Sequence, residues 1–414
     1  MNKIEAFIYQ RVKNNYVLKD FLRNIYQGFF DLLPNPDSSF TGKVIVKENA
    51  YFGFHDIKPF NGDHTKLLSN RLTIPLRMPT QNDALEVGYW TGADYSQWHH
   101  LGETYAWNYH KGCRLQWLDE QQVAFNIAQE NTLKTCIVQT ETGVQRIIDW
   151  PIDHVSPNGQ WATSFSYGRL EKLMPGYGYV WGDEETYADD YAPEGTGLYL
   201  VDLQKNERQL LFSLKDLSQW NPEEGMQDTY HFVTHTEFSP DNRYVAFLHR
   251  WYKGIFQRTR LMVYDLQTQQ LYASPTTGMV SHYVWNSRLG IIAYCSIDGI
   301  DSHVYFSDPT MKEWKRCGYP QLNSDGHHHF ISDDMFVVDT YPDRYRHMKL
   351  WKVNIVTDEV TLLADVKSLK AYVSPDDDHN WKCDLHPRVS ADGHLVSFDS
   401  THTGKRSLCV MELQ

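Results

Sequence analysis

The sequence predicts an all-β fold: a seven-bladed β-propeller preceded by an N-terminal amphipathic helix. Three observations carry that prediction. From residue 40 onward, short runs of Val, Ile, Phe and Tyr alternate with Gly, Asn, Asp and Pro turns, the pattern of strands joined by tight turns. Turns of related sequence recur near residues 60, 119, 158, 241, 287, 333 and 392, giving units of roughly fifty residues, the size of a four-stranded blade. Finally, a histidine stands four residues before the turn in five units: His55, His235, His282, His328 and His386.

The elements follow in order. In residues 3–33, Ile4, Phe7, Ile8, Val12, Leu18, Phe21, Leu22, Ile25 and Phe29 recur mostly at helical spacing. Lys3, Arg11, Lys13, Lys19 and Arg23 make that stretch basic. Such a helix packs on its own domain, or makes a peripheral contact with a membrane or a protein partner. Residues 34–39 read as a linker, so residues 1–40 form one region and 41–414 the propeller. Within the propeller, FSPDNRYVAFLHR precedes RLMVYDLQTQQ, and VSADGHLVSFDS precedes RSLCVMELQ. VSPNGQWATSF is separated from GLYLVDLQKN by an insertion over residues 166–197 rich in Gly, Tyr and acidic residues, where a rigid ring usually carries its substrate contacts.

One strand per blade lines the central channel, so equivalent positions converge there. The five offset histidines belong on that strand. Alternation predicts that His154, two residues before Ser156, faces the same way. In the second blade Arg114 takes the equivalent position, with His110 further up.

Composition limits the function classes. A net charge of -13, from 39 basic against 52 acidic residues, opposes general binding to nucleic acid or anionic membranes. The six cysteines are scattered without CxxC spacing, which suits reduced thiols in the cytosol. No secretory leader or membrane span is apparent. The expectation is a soluble cytoplasmic protein.

Four constellations carry candidate chemistry. Residues 325–329 (DGHHH) and 383–386 (CDLH) offer His327, His328, Cys383, Asp384 and His386 as ligands from adjacent blades. That donor mixture suits one divalent metal such as Zn²⁺, and His235 and His282 are placed to complete its shell. Residues 106–117 (AWNYHKGCRLQW) string Asn108, His110, Arg114 and Gln116 between aromatics; amides and guanidinium bind hydroxyls and carboxylates, and rings stack on sugars. Tyr167, Arg169 and Tyr177 lie in the inserted loop, where phenols are candidate proton donors. Arg250, at the end of a fourth-blade strand, is placed to pair with a carboxylate. No phosphate-binding loop, Walker motif or nucleophile elbow is present.

The segments YFGFHD, AWNYHKGCRLQW, PGYGY, FSPDNRYVAFLHRW, VSHYVW, DGHHHF, VDTYPDRYRH and CDLHPRVSADGHLVSFDSTHTG, across residues 44–414, resemble seven-bladed propellers related to ulvan lyases and, more distantly, oligogalacturonate lyases. Similar chains accompany bacterial capsule and exopolysaccharide genes. The resemblance implies β-elimination on a uronate-containing glycan. Arg250 or Arg169 would neutralise the carboxylate, His110 or His235 would remove the C5 proton, and Tyr167 or Tyr177 would protonate the leaving oxygen. His55, His282, Asn108, Arg114 and Gln116 would bind substrate. It also implies one Zn²⁺ or Mn²⁺, structural or catalytic. The alternatives are a non-catalytic glycan-binding scaffold in surface-polysaccharide assembly, docked by the first helix, and a glycoside hydrolase using the same canyon.

Overall fold

The computed structural model describes residues 28, 30, 33 and 36–413, apart from 182–186, 254–255 and 375–378. Seven antiparallel sheets form the blades of a propeller, each stepping outward from the channel in chain order. The fourth blade is typical: His231–Phe238 is innermost, followed by Tyr244–Lys253, Phe256–Asp265 and Leu271–Ala273. The ring closes non-covalently. Val44–Glu48, from the start of the propeller, is the outermost strand of the last blade and pairs with Ser407–Glu412, Val44 lying opposite Met411.

The hairpin turns form as the repeated sequence predicts. Ser239 donates its hydroxyl to Asp241 at 2.6 Å while accepting the Tyr244 N–H at 2.9 Å. Ser390 does the same with Asp392 and Leu395, at 2.6 and 3.0 Å, and Ser156 with Asn158 and Trp161, at 2.7 and 3.0 Å. Asn242, Gly393 and Gly159 supply the left-handed residue each turn needs, with φ of 63°, 77° and 67°.

Strand alternation then divides the faces. In Leu395–Ser400, Val396 and Phe398 enter the apolar core between the last two blades with Leu350 and Val366. Asp399 has the opposite parity and reaches the first blade, accepting the Phe52 and Gly53 N–H groups at 3.0 and 3.1 Å. This device recurs. Asn126 on the second strand of blade two bonds both backbone groups of Ile152, each at 2.8 Å, and Asp339 on blade six accepts the His386 N–H at 2.9 Å. A polar side chain on one blade thus fixes the innermost segment of the next.

Two features depart from the regular plan. The third blade has three strands, Trp161–Ser164, Gly197–Asp202 and Glu207–Ser213, its inner segment reduced to a bridge between Val155 and Ala162. Ser39–Phe40, grouped with the linker by sequence, adds a fifth strand to blade six by pairing with Val360–Lys367. The amphipathic helix expected over residues 3–33 lies almost wholly outside the described residues; Phe30 meets Tyr345 edge-on at 5.0 Å. No helix among the described residues is long and apolar enough to cross a membrane.

Candidate active site: a histidine-lined channel mouth

At one mouth of the channel the Phe54 ring forms a floor. It lies 4.6 Å from the ring of His55, 4.7 Å from His235, 5.8 Å from His282, 5.9 Å from His327 and 5.1 Å from His386. These imidazoles come from blades one, four, five, six and seven. His327 is the hub, its ring centre 4.0 Å from His282 and 4.2 Å from His386.

The local backbone explains which histidines arrive. In blades four and five a β-bulge interrupts pairing around the histidine, between Thr234 and Glu237 and between Val280 and Tyr283. The bulge re-aims His235 and His282 into the channel. His235 and His386 have left-handed φ of 51° and 45°, as has Arg114 at the equivalent position, with 57°. For residues other than glycine this conformation costs about 1–3 kcal/mol and persists only where the surroundings impose it. Blade six differs: its irregularity falls later, between Phe330 and Ser332, so His328 pairs regularly with Val338. Its ring turns into the blade, 2.7 Å from His303 Nδ1. His327 enters the channel in its place, correcting the expectation for His328 by one residue.

His327, Asp384 and His386 form the only cluster of potential metal ligands among the described residues, their ligand atoms all within 4.8 Å of one another. Asp339 organises it. Its carboxylate accepts from His327 Nδ1 at 3.0 and 3.1 Å and from the His386 N–H, which leaves His327 Nε2 facing the cluster, the usual carboxylate–histidine arrangement behind a metal ligand. Cys383 stays outside. Burial pushes its thiol up to about 12, and its Sγ approaches the Asp384 carbonyl, at 3.8 Å.

The inserted loop roofs the mouth. Helix α1, Tyr167–Leu173, begins on a Ser166 cap, and the chain then doubles back through residues 175–179. The Glu171 carboxylate accepts the Gly176 and Gly178 N–H groups at 3.0–3.1 Å. A Cβ on Gly178 would lie 2.3 Å from the Tyr167 carbonyl, so only glycine fits. This turn delivers Tyr177, which stacks on His110 at 4.4 Å and 8°. Tyr341 stands beside His282, its hydroxyl 3.4 Å from Nε2. The Lys382 ammonium lies 5.1 Å over the Tyr341 ring and 3.7 Å from Asp384. Arg250 is buried next to Gln257, with Tyr177, Asp325 and Tyr341 in its electrostatic neighbourhood.

Burial sets the protonation pattern. It holds His110, His235, His282 and His386 well below the usual imidazole range, reinforced by neighbouring cations and imidazoles. His235 Nδ1 contacts the Thr234 hydroxyl at 2.9 Å, and its Nε2 has no partner among the described residues. The mouth therefore offers a neutral imidazole with an available nitrogen. Burial also lowers His327, but Asp339 outweighs it and raises its pKa. Burial raises Tyr177, which keeps its phenol protonated at neutrality, and pushes the Asp325 carboxyl up to about 6.

Several expected site residues have other partners. Arg114 is buried in a bidentate pair with Asp56, at 3.0 and 2.7 Å, and contacts Asp153 at 3.0 Å. Gln116 bridges the Asp153 carbonyl and the Val155 N–H, and Asn108 joins Gly178 to the backbone of residues 110 and 111. Arg169 binds carbonyls of His231, Tyr187, Asp190 and Tyr191, anchoring the loop. Tyr167 is buried against Tyr179, its hydroxyl on the Ile152 carbonyl at 2.7 Å. His55 Nδ1 contacts the His328 carbonyl. His154 faces the opposite mouth, its Nδ1 accepting the Phe238 N–H at 3.3 Å. In blades four and five the bulge takes in the residue four before the turn and not the residue two before it, where His154 stands, so the parity argument fails there. Phe54, Asp339, Tyr341 and Lys382 were missed as site residues. Phe54, Asp339 and Tyr341 fall inside the segments YFGFHD and VDTYPDRYRH, whereas Lys382 stands just before the segment CDLH.

No protein-family profile matches the chain, and no curated protein matches its sequence. Solved structures do resemble it. An oligogalacturonate lyase in complex with manganese aligns at a TM-score of 0.63 and 14% identity, over 92% of this chain and 96% of that one. An oligogalacturonate lyase from Vibrio parahaemolyticus aligns at 0.57 and 12%, over 92% and 99%. At such identities the likeness establishes the seven-bladed fold.

Proposed function

We propose that this chain is a lyase that cleaves a uronate-containing oligosaccharide by β-elimination. The observation that carries the reading is the convergence of neutral imidazoles, Arg250, Lys382 and two phenols on one channel mouth. Elimination needs those groups: a cation for the C6 carboxylate, a base for the C5 proton and an acid for the departing O4. The structural likeness to two oligogalacturonate lyases supports the substrate class.

In this reading Arg250 and Lys382 bind the carboxylate and thereby acidify C5–H. His235 Nε2 takes the C5 proton. The C–H electron pair becomes the C4–C5 double bond as the C4–O4 bond breaks, and the Tyr177 phenol gives its proton to O4. His110 keeps that phenol in place by stacking. The donor set of His327, Asp384 and His386, two imidazole nitrogens and a carboxylate, fits Mn²⁺ or Zn²⁺. A divalent ion held there would supply Lewis-acid polarisation of the substrate carboxylate. The remaining expectations for Asn108, Arg114, Gln116, Arg169 and Tyr167 become positioning roles, because their polar atoms already hold the channel wall and loop.

The test is incubation with uronate oligosaccharides, following the ultraviolet absorbance of an unsaturated product. The wild-type protein should generate it, and Arg250→Ala should lower kcat/KM by about 10²-fold. New reducing ends without absorbance would mean hydrolysis, and binding without turnover would mean a glycan-binding propeller. Either result would overturn the lyase reading.

A further inference from the structure

The channel has a second chamber. Its middle is blocked by buried ion pairs: Lys111 Nζ lies 2.7 Å from Asp153, Arg114 Nε 3.0 Å from Asp153, and Arg114 Nη2 2.7 Å from Asp56. On one side of this plug Lys111 sits 5.7 Å from the Phe54 ring that floors the histidine mouth. On the other side Asp56 and Gln116 line a cavity of about 660 Å³ at the opposite end of the ring. That size falls within the range of small-molecule sites, roughly 300–1,000 Å³.

The walls of this chamber are chemically distinct from the histidine mouth. Trp117 and Trp285 contribute indoles, and Glu237, Lys58, His154 and Gln116 contribute polar groups. Two buried polar atoms stand out. Glu237 is 9% exposed, and its Oε2 has no hydrogen-bond partner among the described residues. Trp285 is 6% exposed, and its Nε1 likewise has none. Both residues line the cavity, and buried polar groups left unsatisfied are costly, so a small turn of either side chain toward the cavity would let a ligand or solvent complete the bonding.

The charges select among ligands. Asp56 is fully occupied by the Arg114 guanidinium. Lys58 has no ion pair among the described residues. Burial, assisted by Asp56 and opposed by Lys58, raises the Glu237 carboxyl well above its ordinary range, which favours its protonated form. The chamber thus presents one cation with no ion pair among the described residues, beside hydrogen-bonding groups and aromatic walls.

We propose that this chamber is a second ligand site, taking a small hydroxylated carboxylate of the size of a monomeric sugar acid. Lys58 receives the carboxylate, Glu237 and the Trp285 N–H bind hydroxyls, and Trp117 offers its indole to the apolar face of the ring. The assignment rests on this cavity alone and is independent of the elimination reading.

Calorimetric titration with galacturonate and with galactose tests it, on wild-type protein and on Lys58→Ala, Trp285→Phe and His282→Asn. Galacturonate should saturate a site that Lys58→Ala weakens by about tenfold or more, that Trp285→Phe also weakens, and that His282→Asn leaves intact. Galactose should bind that site at least about tenfold more weakly. Absence of galacturonate binding, equal binding of galactose, unchanged affinity in Lys58→Ala, or loss of all binding in His282→Asn would each overturn the assignment.

Discussion

Residues 106–117 and the pair of segments 325–329 and 383–386 are made of similar chemistry-bearing side chains, and the fold uses them in opposite ways. In the first, Lys111 and Arg114 are consumed by Asp153 and Asp56, and Asn108 and Gln116 by backbone groups. In the second, one buried acid, Asp339, holds His327 and the backbone of His386 from behind and leaves their rings facing the channel. The difference lies in where the counter-charge sits. A carboxylate inside the channel neutralises the cation in front of it and makes a plug; one behind the strand orients the side chain and makes a site.

The sharpest way to break this contrast is at His235. His235→Asn should lower kcat on a uronate oligosaccharide by roughly 10²–10⁴-fold, as expected for loss of a general base, while its thermal midpoint stays near that of the wild type. A large fall in stability with preserved kcat would move His235 into the structural class. At the plug the expectation is reversed. Lys111→Met leaves Asp153 with one cation fewer in a fully buried position, and denaturant unfolding should register a loss of about 3–5 kcal/mol. A variant as stable as the wild type would show that the plug is not what holds the ring centre.

A smaller effect is expected at the roof. Gly178→Ala drives a Cβ into the Tyr167 carbonyl and the Glu171 N–H, at 2.3 and 2.5 Å. It should displace Tyr177 and cost about 1–3 kcal/mol, read from the midpoint of urea unfolding. Wild-type stability would mean the loop yields without strain.

Acid should separate the two regions by pH window. His235 is depressed by burial and then by Arg250, so its contribution to stability is present above the unfolded imidazole value of about 6.5 and is lost as pH falls through its lower folded value. For Asp56 and Asp153, burial is opposed and outweighed by Arg114 and Lys111. Their contribution is present above about 3.9 and fades only at stronger acidity. His235→Asn should therefore flatten the fall in unfolding free energy just below pH 6.5 without altering the fall below about pH 4. An unchanged slope in the upper window would contradict the depressed imidazole.

How much of this was legible depended on how local the determinant was. The seven hairpin turns were, because Ser239, Ser390 and Ser156 bond within five residues of themselves. The offset histidines were legible as a set for the same reason, the repeat being fixed relative to the turn. The exchange of His328 for His327 was not: it depends on whether the bulge falls around the histidine, as in blades four and five, or after it, as in blade six. Likewise Arg114 reads as a substrate ligand until Asp56 and Asp153, 58 and 39 residues away, fold against it. Pairings across blades carry no local signature, and they decided which polar residues remained available.

The most direct measurement is a crystal structure of His235→Asn soaked with a trigalacturonate. The account predicts sugar density at the histidine mouth, with a carboxylate within hydrogen-bonding distance of Arg250 and C5 turned toward residue 235. A histidine mouth free of sugar, or an oligosaccharide bound with its carboxylates away from Arg250 and Lys382, would contradict it.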